Sequence, residues 1–255
     1  MKPFLSAVQF LTRLPVPGAT PGDLTAVAGA QAWFPAVGLL LGAALVGVDR
    51  IAMRALPPVA VDALVVVALI VLTGALHLDG LADAADGLFG GRDAEDRLRI
   101  MRDVHAGTYA IVAVFAVLLL KWSGLLSLPV NVRVEALLLF PCLARFSLLV
   151  AIAVFPYARE EGVGAGFRER AWPGATLAGG AFVLLVSVGM LGAGGALAFA
   201  FAIAAGLAAG AFATRLAGGM TGDVYGATVE VSEAAVVLFL AAMAERGWVD
   251  AWLLG

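Results

Sequence analysis

Three aspartates stand at i, i+4 and i+7 in the run His77-Leu78-Asp79-Gly80-Leu81-Ala82-Asp83-Ala84-Ala85-Asp86-Gly87. On a helix this spacing puts Asp79, Asp83 and Asp86 on one face, within about 60° of arc. Like charges so placed repel, by about 0.2–0.5 kcal/mol per pair on an exposed helix. The repulsion rises to roughly 4 kcal/mol for a pair about 4 Å apart at an effective dielectric of about 20. A hard divalent cation with oxygen ligands relieves it. The bland alternative is a solvated helix start, where acids complement the dipole. Three acids on one face beside an apolar segment favour the cation. Magnesium suits phosphate substrates better than calcium. Zinc would want histidine or cysteine, and the chain has only His77, His105 and Cys142.

A second polar run reads Gly218-Gly219-Met220-Thr221-Gly222-Asp223-Val224-Tyr225-Gly226-Ala227-Thr228-Val229-Glu230-Val231-Ser232-Glu233. Its glycines suggest a tight loop whose backbone amides, Gly222 among them, could approach an anion. Asp223, Glu230 and Glu233 would share one helical side and form a second wall of the same site. Between the two runs lie Arg92, Arg97, Arg99 and Arg102, and a later loop carries Arg159. Arginines bind phosphate well; Arg102 and Arg159 are the candidate contacts. The alternative for Arg97 and Arg99 is a solvated helix with Asp93–Arg97 and Glu95–Arg99 pairs. Carboxylates, a metal and arginines suit phosphoryl transfer: the cation neutralises a pyrophosphate and a spare carboxylate takes a proton from the attacking hydroxyl. No Gly-x-Ser-x-Gly run offers a serine nucleophile.

These residues must be positioned by a membrane bundle. Of 255 residues, 62% are hydrophobic and 14% charged, with mean hydropathy +0.99; soluble domains are about 45–50% apolar and about 25% charged. The net charge is −3 and no basic tract fits nucleic acid. The single cysteine excludes an intrachain disulfide. Spans of about 20 apolar residues are read at 32–48, 59–76, 110–128 with Lys121, 134–155 with Arg145, 175–213 as two helices broken near 192–195, and 234–244, which extends toward 254 or inserts only in part. That is an all-α, polytopic bundle of about seven transmembrane helices in one catalytic domain, residues 1–255. A buried arginine such as Arg145 should face a partner or a polar cavity. Phe4, Leu5, Val8, Leu11 and Leu14 recur at helical spacing, which reads as an N-terminal interfacial helix or one packed on the bundle. The arginine bias puts 77–109, 156–174 and 214–233 on the cytoplasmic side, with every polar motif.

The run Phe10-Leu11-Thr12-Arg13-Leu14-Pro15-Val16-Pro17, with the motifs at 77–87, 100–103 (IMRD), 157–164 (YAREEGVG) and 218–233, resembles the cobalamin synthase, or adenosylcobinamide-GDP ribazoletransferase, family in order along nearly the whole chain. The resemblance implies a magnesium-dependent enzyme of the bacterial inner membrane. It would join adenosylcobinamide-GDP to α-ribazole, or its 5′-phosphate, and release GMP. It supports Asp79, Asp83 and Asp86 as metal or base residues and Asp223 with Glu230 as further polar walls. It leaves the oligomeric state open, a homo-oligomer included. One departure is Val104-His105, where the family's pattern has a serine and a basic residue. Asp83-x-x-Asp86-Gly87 is also similar to the opening of the CDP-alcohol phosphotransferase motif, but Gly90-Gly91-Arg92 departs from its continuation. A phospholipid synthase is thus the weaker alternative. A transporter is another: Lys121 and Arg145 are its mid-span candidates, whereas the acids are placed at span ends.

Overall fold

The computed structural model describes residues 2–16, 24–159, 166–167 and 173–249. The helices are α1 (Lys2–Leu11), α2 (Leu24–Ala28), α3 (Phe34–Ala52), α4 (Pro58–Thr73), α5 (Leu76–Gly90), α6 (Ala94–Ile100), α7 (Thr108–Leu126), α8 (Arg133–Val154), α9 (Pro173–Ala217) and α10 (Gly222–Glu245). Among the described residues the one β contact is an isolated bridge between Tyr157 and Met220. Five helices are long and apolar enough to cross a membrane, six if α4 and α5 form one broken crossing. Helix α9 is itself broken at Gly192, whose φ of 55° ends one half and starts the other. The sequence count of about seven matches this arrangement. Ile111, Phe115, Leu185 and Val71 are exposed, as expected of faces turned to lipid rather than water.

Helix α8 is the centre of the bundle, buried from Leu137 to Ile152 with few breaks. Helix α1 lays Ala7, Val8 and Leu11 on the bundle end, and Phe10 stacks on Phe34 at the start of α3. Helix α4 ends in a Schellman motif: Gly74 N–H donates to Val71 and Ala75 N–H to Ile70, at 3.1 and 3.0 Å. Gly74 and Ala75 both have positive φ, 62° and 58°. For Ala75 that conformation is strained, by about 1–2 kcal/mol. The two residues turn α5 by 91° relative to α4.

The last span departs from the sequence reading. It begins at Gly222, not near residue 234, and the described helix ends at Glu245. Thr221 caps it, its Oγ1 accepting from Val224 N–H at 3.1 Å. Gly222 and Gly226, read as loop residues, are therefore helical. Glu230 and Glu233 hide this start in a hydropathy profile, because they look like surface acids. They are buried instead. Lys121 donates to Glu230 at 2.6 Å and also to Glu233. Arg145 donates to Glu233, which supplies the partner its burial demands. Breaking such a pair by removing one member costs roughly 3–5 kcal/mol. A second cluster closes the opposite end, where Arg133 donates to Asp49 at 2.9 and 2.7 Å and also to Asp62.

Candidate active site

Helices α5 and α10 cross at two glycines. A Cβ on Gly226 would lie 3.0 Å from the His77 carbonyl and 3.1 Å from Gly80 Cα; one on Gly80 would lie 2.9 Å from the Asp223 carbonyl. Only this close approach sets Asp79 and Asp83 of α5 beside Asp223 in the first turn of α10. The charges acting on Asp83 are Asp79, Asp223 and Asp86, opposed by Arg159. Asp79 is exposed and Asp83 half-buried.

Arg159 follows α8 and reaches Asp223. Its Nη2 donates to Asp223 Oδ2 at 2.8 Å, while its Nε is buried with no hydrogen-bond partner. The Thr221 hydroxyl also donates to Asp223, at 3.3 Å. Two backbone bonds fix this placement: Met220 N–H to Pro156 and Ala158 N–H to Met220, both 2.8 Å. The sequence placed 157–164 and 218–233 on one side of the membrane. It carried no signal for this pairing, which depends on an irregular segment meeting a helix start.

The remaining candidates have other partners. Asp86 accepts from Gly107 N–H and from Ala110 N–H at 2.9 Å, so it caps α7 from a neighbouring helix. Among the described residues no three His, Cys, Asp or Glu side chains converge to hold a metal ion. Glu230 is buried against Lys121 and away from the cluster. Gly222 lines a small cavity of about 200 Å³ with Asp79, Asp223 and His77. Arg102 is exposed, bordering an open cavity of about 1010 Å³ with Arg92 and Arg99.

Helix α6 differs in its pairing. Asp93 caps it by accepting from Asp96 N–H at 2.9 Å, and Arg99 pairs with Asp96 rather than Glu95. Arg97 donates instead to the carbonyls of Leu88 and Leu216, at 3.2 and 2.9 Å, tying α6 to α5 and α9. Beyond α6, the His105 ring lies 2.7 Å from Asp103 Oδ1. Its hydrogen bonds hold the Asp103 carboxyl below the usual carboxylate range.

A family model described as cobalamin-5-phosphate synthase matches residues 3–241. The chain belongs to the cobalamin-5-phosphate synthase family. Proteins named adenosylcobinamide-GDP ribazoletransferase are similar over almost its full length. That of Acetivibrio thermocellus is 39% identical, covering 91% of this chain and 94% of that protein. That of Desulfitobacterium hafniense is 37% identical, covering 94% and 95%. That of Pseudomonas paraeruginosa is 41% identical, covering 94% and 98%. No solved structure matches. In this chain the 77–87 run occupies α5 and the 218–233 run forms the start of α10, so the two longest motifs meet at the glycine crossing.

The donor chemistry fits magnesium. Asp79, Asp83 and Asp223 offer only hard oxygens, and one arginine stands against their combined charge. Magnesium is usually held by one or two carboxylates together with substrate phosphates and waters. A three-carboxylate cage is therefore not required, and Asp86 is free to cap α7.

Proposed function

We propose that this chain joins adenosylcobinamide-GDP to α-ribazole, or its 5′-phosphate, and releases GMP. The observation that carries the reading is the meeting of Asp79 and Asp83 with Asp223 and Arg159, in a chain of this family. A ribose hydroxyl of α-ribazole attacks the cobinamide-side phosphorus. The new phosphodiester bond forms there as the bond to the GMP oxygen breaks. Asp79 and Asp83 would hold a magnesium ion, which when bound would neutralise the pyrophosphate charge. Arg159 has a buried, unpartnered Nε and turns it to a phosphate oxygen. Arg102, exposed on the same side, meets the outer phosphate. One carboxylate of the Asp79, Asp83, Asp223 group accepts the hydroxyl proton. Asp86 acts through α7, and Glu230 serves the bundle by neutralising Lys121. The site faces the cytoplasm of a bacterial inner membrane, where nucleotide substrates are made.

The test is GMP release by the full chain in vesicles supplied with both substrates. Turnover with magnesium, its loss on chelation, and its return when magnesium is restored are the expected results. Turnover of CDP-diacylglycerol, with none of adenosylcobinamide-GDP, would overturn the reading.

A further inference from the structure

We propose that the small cavity below Asp79 and Asp223 receives the benzimidazole ring of α-ribazole, with His77 recognising the ring nitrogen that the sugar leaves free. The proposal rests on the function given above. The cavity holds about 200 Å³ and is walled by Phe10, Leu148, Phe167 and Tyr225. Pockets that enclose whole drug-sized ligands run to about 300–1,000 Å³, so this one takes a fragment the size of a single heteroaromatic base. The rings form a continuous wall: Phe10 and Phe167 meet edge-on with centroids 5.5 Å apart, and Phe167 and Tyr225 lie at 6.5 Å. Such faces favour a flat aromatic guest.

The polar groups decide which base fits. His77 lines the cavity, is 4% exposed, and its Nδ1 has no hydrogen-bond partner. A buried polar atom without a partner is costly, by roughly 1–3 kcal/mol, and a ligand atom removes that cost. Benzimidazole joined to ribose has one in-plane lone pair, on its second nitrogen. The Nδ1–H tautomer of His77 donates to it. Guanine, the other base in the reaction, carries several donors and acceptors along its edge. Only Asp79 and Asp223 could accept from its donors, and the reaction engages those carboxylates at the ribose and phosphates; Phe10, Leu148 and Phe167 would leave the rest of its edge unpaired, which a pocket rejects strongly. With the base seated on His77, the ribose lies toward the cavity's acidic residues, Asp79 and Asp223. Helix α1 thereby gains a role, since Phe10 is one wall.

The experiment measures KM for each substrate separately, in the full chain carrying Phe167→Ala, His77→Ala or His77→Asn. Phe167→Ala and His77→Ala should each raise the KM for α-ribazole by about tenfold or more. The KM for adenosylcobinamide-GDP should stay within about twofold. His77→Asn, whose amide restores an N–H, should recover most of the loss. An unchanged KM for α-ribazole, or an equal rise for both substrates, would overturn the assignment while the function stands. Absence of wild-type turnover would overturn the function reading, and this assignment with it.

Discussion

Asp83 and Asp86 are one turn apart on α5, yet they face different neighbours. Asp83 feels Asp79 and Asp223 as well as Asp86; Asp86 also accepts from the amides of Gly107 and Ala110. The spacing in the sequence put three acids on one face, and that much was legible. Which of them met another helix was not, because the answer depends on where α7 starts. Asp86→Ala should therefore behave as the loss of a helix cap, about 1–2 kcal/mol of stability. Thermal unfolding in detergent checks it: the midpoint should fall by a few degrees, whereas an unchanged midpoint would mean the cap contributes nothing. Lys121 and Arg145 teach a related lesson. Hydropathy located both inside spans, but the sequence assigned their carboxylates, Glu230 and Glu233, to a wall of the site, because it placed the last span near residue 234 and α10 starts at Gly222.

At the scale of elements, the site is a crossing. Helices α5 and α10 touch where neither has a side chain, at Gly80 and Gly226. The sequence placed Gly226 in a loop and gave Gly80 no role; their use as a contact appears only when the two motifs are brought together. A methyl group at Gly80 would meet the Asp223 carbonyl at 2.9 Å, so the helices must part. Overpacking of this kind costs about 1–3 kcal/mol, and a shift of about 1 Å at a reacting centre can cost roughly 100-fold in rate. Gly80→Ala should lower both the unfolding midpoint and the turnover number. Gly47→Ala on α3, where an added Cβ meets nothing within 4 Å, is the matched control and should change neither. Turnover of Gly80→Ala equal to that of the control would show that the crossing does not set the site.

For the whole molecule, composition alone announced a membrane bundle, and the spans up to α9 fell close to their sequence positions. The end of the chain did not, because paired charges inside a helix defeat a hydropathy window. A cytoplasmic site end, proposed from the arginine bias, is directly testable. His105 lies at that end and is exposed, while Cys142, the one native cysteine, is fully buried. In His105→Cys a membrane-impermeant thiol reagent should label inverted vesicles and spare intact cells; the reverse pattern would invert the topology.

The proposed reaction depends on the carboxylates where α5 meets α10. The most direct measurement is the rate of GMP release from adenosylcobinamide-GDP and α-ribazole by membranes carrying Asp83→Asn, at wild-type protein level. Loss of a proton-transfer or metal-holding carboxylate predicts a fall of about 10²–10⁴-fold, with folding kept because Asp83 makes no cap or buried pair. GMP release within a few-fold of wild type would contradict it.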